Sequence, residues 1–416
     1  MKKFLPLFLM LLLPVAAVAQ TTMRLTLGGV AWLSDLSEIN ARTMPIVVSN
    51  VGDGYSISSE GFDLPAATTT LEFDNSTLHG KNIVDIDFSR SLSPVEAAKE
   101  LREILEVKVA EGLIEISERA THTEEITYRL RGTFAGSVVL RGTYKAIVEL
   151  HGVNITATGN TPALWVDNGK RIDLVAKSGT KNYFADAATN EKKAALFIKG
   201  HAELKGAGEI YVTGNARHAY ASNEYTWVKD GFGTLVVTGA KSDGLHISQY
   251  LQMDGGKIQI SGTAGDGIDV EYTYADENNT IIKTEDANNG EVMINGGTIQ
   301  VTLASDDTKA VSSDSHMTIK GGTLNLTLNG NGTRGLGVGS KSKSYISNLL
   351  VEEAAPATAP TNITIEGSGK DSANETLRAV RVTGNATHNG GNILISLPNA
   401  TKPIKVDGAK TGAFAK

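Results

Sequence analysis

Apolar and polar residues alternate in seven short segments of this chain, and five successive ones share a corner. They read GEIYVTG from Gly208, GTLVVTG from Gly233, GKIQISG from Gly256, GTIQVTL from Gly297 and GTLNLTL from Gly322. Two later copies read TNITIEG from Thr361 and GNILISL from Gly391. The first five begin 25, 23, 41 and 25 residues apart, and the long step holds an insertion around residues 272–290. With the glycine as position zero, positions +2 and +4 are apolar throughout: Ile210/Val212, Leu235/Val237, Ile258/Ile260, Ile299/Val301 and Leu324/Leu326. Ile363/Ile365 and Ile393/Ile395 continue both columns, and the positions between are mostly polar. A period of two places one face of each strand inward. A common frame over many copies makes the strands parallel and in register, one coil per repeat at a rise of roughly 4.8 Å. The fold expected is all-β, a right-handed parallel β-helix. A propeller needs about 40 residues per blade, and only one step is that long.

Residues 20–128 read differently. Ser93 as N-cap, Pro94 at the first helical position and Glu96 closing a capping box predict a helix. Val95, Ala98, Leu101 and Leu105 follow at helical spacing. Alternating segments at 69–73, 83–88 and 112–117 flank it. This region is expected to be a small α+β or β-rich cap on the solenoid, which occupies 129–416, because such stacks need covered ends.

The first 19 residues have the make-up of a signal peptide: Lys2 and Lys3, an apolar run from Phe4 to Leu13, and Ala17-Val18-Ala19 before Gln20. The run is too short to span a bilayer. The mature chain is thus expected to be exported, to the periplasm, cell surface or medium, without membrane insertion. It contains no cysteine, so stability must come from a large core or from metal. Loss of the two lysines takes the formal charge from −7 to −9, which argues against nucleic acid as a partner.

Beyond the strand, position +10 is Asp243, Asp266 and Asp307 on three consecutive coils. Stacked carboxylates about 5 Å apart repel each other by around 1 kcal/mol per pair in water. A hard cation removes that cost, so the corner is a candidate Ca²⁺ site, with Asp269 and Asp306 near enough to join. Ordinary turn chemistry of Asp-Gly is the competing reading. Position +12 is Leu245 and Ile268, then Lys309 and Arg334. Either the register slips at 306–308, or the two bases line a cleft suited to a uronate carboxylate. Tyr220, Trp227, Tyr272 and Tyr274 are candidate stacking platforms for sugar rings. His218 and His246 lie on neighbouring coils with no nucleophile beside them, and read as turn or surface residues.

The series RLRGTFAGSVVLRGTYKAIVELHGVNITA from Arg129, SGTKNYFAD at 178–186, FIKGHAELKGAGEIYVTGNARHAYAS at 197–222, and the two D-G corners at Asp243 and Asp266 resembles a secreted bacterial carbohydrate-binding domain family. That family folds as a right-handed parallel β-helix like pectate lyases. The resemblance covers roughly residues 129–400. It implies calcium sites and non-catalytic binding of plant-type polysaccharides such as polygalacturonate or cellulose. Asp307 departs from the pattern, being followed by Thr308. Two alternatives stay open: a lyase acting on uronates by calcium-assisted elimination with Lys309 or Arg334 as base, and an adhesin-like surface solenoid.

Overall fold

The computed structural model describes residues 80–90, 94–272, 288–339, 347–353 and 360–415, and before them only strand segments between Thr22 and Asp74. The expected signal peptide and Tyr274 lie outside the described residues.

The alternating segments form the strands expected of them. Glu209–Gly214, Thr234–Ala240, Lys257–Ile260, Thr298–Leu303, Thr323–Leu328, Asn362–Glu366 and Asn392–Ser396 stack in that order. All pairings are parallel, and the register runs Ile210, Leu235, Ile258, Ile299, Leu324, Ile363, Ile393. All but Ile393 are almost completely buried.

Each coil adds two further strands, giving the solenoid three faces. The first face includes Ala202–Lys205, Thr226–Val228, Leu251–Met253 and Val292–Ile294. The repeat strands are the second face. The third includes His218–Ser222, Leu245–Ile247, Ile268–Val270, Lys309–Ser313, Arg334–Val338 and Arg378–Val382. One apolar core fills the interior from Val84 to Phe414. At about 25 cal/mol per Å² of apolar surface, such continuous burial is the main term holding the coils together.

The corner glycine of the repeat has a backbone reason. Gly256, Gly297, Gly322 and Gly391 take φ of 69°, 82°, 83° and 83°, which L side chains rarely adopt.

The helix expected from Ser93 does not form. Val95–Ala98 is a strand, followed by a short 3₁₀ turn, Lys99–Glu103. Val95–Ala98 pairs antiparallel with Ile83–Asp87 and parallel with Val30–Asp35. Both faces of the strand are buried, so tertiary burial overrides the capping signal. Glu96 meets the Arg90 guanidinium instead of closing a capping box. The described part of the cap is β-rich, and the stack starts before Arg129: Ile83–Asp87 and Leu113–Glu118 already pair in parallel with the coil that follows.

Candidate functional site

The third face decides where the corner residues go. Leu245 pairs with Ile268, but Ile268 pairs with Val311 rather than Lys309. The register therefore slips by two residues at this turn. The cause lies in the preceding strands: Lys257–Ile260 is followed by Thr298–Leu303 and Thr323–Leu328, both extended by two residues on the second face. The corner is then reached at +12, not +10. The column that runs through Asp243 and Asp266 continues with Lys309, Arg334 and Arg378. Asp307 is displaced from it, and so is Asp306.

Asp307 sits at φ 60° on the exposed turn and accepts hydrogen bonds from Ser372 and from Asn374 Nδ2 at 3.1 Å. Asp306 accepts the Asn331 N–H at 2.7 Å. Each carboxylate in the column caps the coil above. Asp243 Oδ1 accepts the Asp266 N–H at 2.7 Å, and Asp266 Oδ1 accepts the Lys309 N–H at 2.8 Å. Asp266 Oδ2 accepts from the Lys309 ammonium at 2.9 Å. Asp243 Oδ2 faces His218 Nδ1 at 3.1 Å and His246 Nδ1 at 3.6 Å. Asp269, the register partner of His246, approaches the same Nδ1 at 3.4 Å.

These oxygens do not make a calcium cradle. Ca²⁺ takes six to eight oxygen ligands. Here the column offers two carboxylates, each with one oxygen on a backbone N–H and the other facing a lysine or two histidines. The three-aspartate stack expected from the sequence is not assembled.

Burial acts on Asp243 to raise its pKa, but the contacts with His218 and His246 outweigh it and hold the group well below the usual carboxylate range. Burial lifts Asp266 to about 6 against the pull of Lys309. Burial also works against the Lys309 charge, yet the carboxylates of Asp266 and Asp269 win and raise that pKa. An ammonium held this firmly is a poor general base at neutral pH.

The bases gather. Lys309 and Arg334 are register partners, Arg334 pairs with Arg378, and Arg381 lies on the outward column Asp269–Ser312–Gly337–Arg381. A cleft of about 170 Å³ opens here, lined by Lys309, Arg334 and Arg381, by the acids Asp314 and Glu375, and by Gly337 among others. Gly337 keeps it open, since a Cβ there would stand 2.8 Å from Lys309 Cδ. Arg334 is ion-paired with Glu375, Arg381 with Asp407 at 2.6 Å, and Arg378 donates to the Lys402 carbonyl at 2.8 Å. Each of Lys309, Arg334 and Arg381 thus has a carboxylate partner, and burial with the neighbouring Arg334 and Arg381 lowers the Arg378 pKa. The buried Nε of Arg334 has no hydrogen-bond partner.

The aromatic candidates fare less well. Tyr220 is wholly buried in the core column that continues through Leu245, its hydroxyl 2.9 Å from Thr226 Oγ1. The indole of Trp227 donates to Asp254 at 2.6 Å, and the Lys229 ammonium covers its ring at 3.0 Å. Tyr272 is half-buried, its N–H on Asp314 at 3.1 Å. Tyr220 therefore presents no ring to a sugar, and one face of Trp227 is covered. The exposed platform is elsewhere: Tyr183 and Tyr211 are register partners whose rings stack at 4.8 Å on the second face. Tyr211 is the outward +3 residue of GEIYVTG, so the alternation contained this signal.

A family model described as "Carbohydrate-binding domain-containing protein" matches residues 114–400, more than half of the chain. The chain belongs to this family. Its carbohydrate-binding domain thus includes both the Asp243–Arg378 column and the basic cleft. A solved structure titled as the polysaccharide lyase-like protein from C. thermocellum, a gadolinium derivative, is similar at 22% identity and a TM-score of 0.42. The similarity covers 62% of this chain and 89% of that one. No curated protein matches the chain.

Proposed function

We propose that this protein binds acidic polysaccharides without cleaving them, seating a uronate carboxylate in the cleft of Lys309, Arg334 and Arg381. The observation that carries this reading is the clustering of these cations around one opening that Asp314 and Glu375 also line, with the buried Nε of the Glu375-paired Arg334 making no hydrogen bond. Guanidinium groups bind carboxylates bidentately, and a desolvated anion gains most where like charges already crowd. The chain carries a net charge of −7, so a local basic cleft is what an anionic ligand needs. Family membership supports a glycan as the ligand class. Calcium, implied by the resemblance, has no part in this reading, because the aspartates at the column have their oxygens engaged.

The test compares polygalacturonate with cellulose in affinity electrophoresis, with unsaturated product followed by ultraviolet absorbance. Retardation by polygalacturonate alone, weaker at high salt and without product, is the expected result. Retardation by cellulose alone would overturn the acidic ligand. Product formation would overturn the non-catalytic role.

A further inference from the structure

We infer that two copies of this chain pair tail to tail through the strand Asn392–Ser396, joining their second faces into one sheet across a two-fold axis. The surface lies on the second face, not at the basic cleft, and the inference does not depend on the glycan reading.

The strand is an open edge. It pairs in parallel with Asn362–Glu366 and has no strand partner on its other side among the described residues. The Asn392 N–H donates to the Thr361 carbonyl at 2.8 Å, and the Ser396 carbonyl accepts the Gly367 N–H at 3.2 Å. Backbone groups alternate sides along a strand, so the N–H and C=O of Ile393 and Ile395 point to the free edge. Folded proteins blunt such edges with charge, proline or a bulge. Here residues 389–401 include no charged side chain, Pro398 lies beyond the strand, and the five-residue register is unbroken.

The core is also incompletely covered at this end. Ile363 and Ile365 are at most 1% exposed, whereas Ile393 and Ile395, next in the same columns, are only partly buried. Ile404 and Val406 on the last third-face strand are partly buried too. The turn Gly412–Ala415 packs on the first face, where Phe414 meets the His388 ring edge-on, and leaves these four partly open. Leu394 is 61% exposed, more than any other large apolar side chain among the described residues.

The sequence of the edge selects a second copy as the occupant. NILIS is symmetric by residue class about Leu394: one polar residue at each end and three apolar residues between. In an antiparallel pair centred there, Ile393 of one copy faces Ile395 of the other, and their outward groups form four N–H···O bonds. Leu394 meets its own counterpart as the non-hydrogen-bonded pair, with Cα atoms about 4.5 Å apart. Asn392 faces Ser396, so no like charges meet. The inward isoleucines then continue one core into the next. A head-to-tail stack has no such match, because Val95–Ala98 and Leu105–Ala110 at the other end run antiparallel to the strands they cover. A two-fold contact closes, so assembly stops at two copies.

The test is sedimentation equilibrium of the purified full chain over a range of concentrations. The expected result is a monomer–dimer equilibrium without larger species. Leu394→Asp sets two carboxylates against each other on the axis and should give a monomer with wild-type circular dichroism. Leu394→Lys, which repels in the same way, serves if the aspartate disturbs the strand. The chain has no cysteine, so Leu394→Cys should cross-link to a second copy on mild oxidation, the expected Cα separation being within disulfide range. Gln300→Cys, exposed in the middle of the same face, should not. A wild-type monomer at every concentration, species that grow past the dimer, a dimer that persists in the folded charged variant, or cross-linking of Leu394→Cys no greater than that of Gln300→Cys would overturn the inference.

Discussion

Asp266 takes both donors that Lys309 brings to the corner, the backbone N–H on Oδ1 at 2.8 Å and the ammonium on Oδ2 at 2.9 Å. One side chain thus ties two coils and holds the first base of the cleft in place. Asp266→Ala should cost about 2–3 kcal/mol, since it leaves a buried N–H without an acceptor and the Lys309 ammonium with only the Ser312 hydroxyl at 3.0 Å. Asp266→Asn keeps an acceptor for the N–H and should recover about 1 kcal/mol of that. Urea unfolding of both variants measures the difference, and equal losses would contradict the two-donor role.

The strand columns were legible because apolar residues at +2 and +4 have one physical cause, burial on a pleated face. The seven-copy register from Ile210 to Ile393 follows directly. The corner was less legible. Its position depends on where the second-face strand ends, and Thr302–Leu303 extends that strand without breaking the alternation. A frame anchored on Gly297 therefore assigned Asp307 to a place that Lys309 occupies. The same slip explains why a base falls in an inward column of that frame. Tyr220 was misread because a tyrosine whose hydroxyl finds Thr226 can sit inside the core, and composition does not tell that case from an exposed ring. His218 and His246 meet only through coil stacking, which no local motif encodes.

Gly337 is the floor of the cleft. Its φ is not in the left-handed region, and the atom a Cβ would strike is the flexible Lys309 stem. Gly337→Leu should fill the opening and reduce affinity for oligogalacturonate at least about tenfold, roughly 1.4 kcal/mol. Its melting temperature should stay within a few degrees of wild type. Undiminished binding would place the ligand elsewhere.

Gly297 and Gly239 separate turn geometry from composition. At Gly297, φ is 82° and a new Cβ would meet the Gly255 carbonyl oxygen at 2.6 Å. Gly297→Ala should destabilise by about 2–4 kcal/mol. Gly239 has its nearest neighbour at 3.6 Å and no positive φ, so Gly239→Ala should change stability by no more than about 0.5 kcal/mol. Denaturant midpoints of the pair check this, and similar losses would count against the assigned corner.

Glu291 gives the pH dependence a sign. Burial raises its folded-state pKa from 4.5 to about 7. A carboxyl with a raised folded pKa contributes stability that is full below about pH 4.5 and lost as pH rises through 7. The side chain is partly open to solvent, so the loss is on the order of 1 kcal/mol after screening. Glu291→Gln should flatten that part of the stability profile between pH 5 and 8. An unchanged slope in melts across this range would contradict the assignment.

The cleft is tested most directly by calorimetric titration of oligogalacturonate into wild-type protein and Arg334→Gln, with melting curves confirming that both are folded. A charge-assisted hydrogen bond to a carboxylate is worth about 1.5–3 kcal/mol, so affinity should fall roughly 10- to 150-fold in the variant. The wild-type interaction should also weaken as salt is raised. Equal affinities for the two folded proteins would contradict the proposal that the Lys309–Arg334–Arg381 cleft receives the acidic sugar.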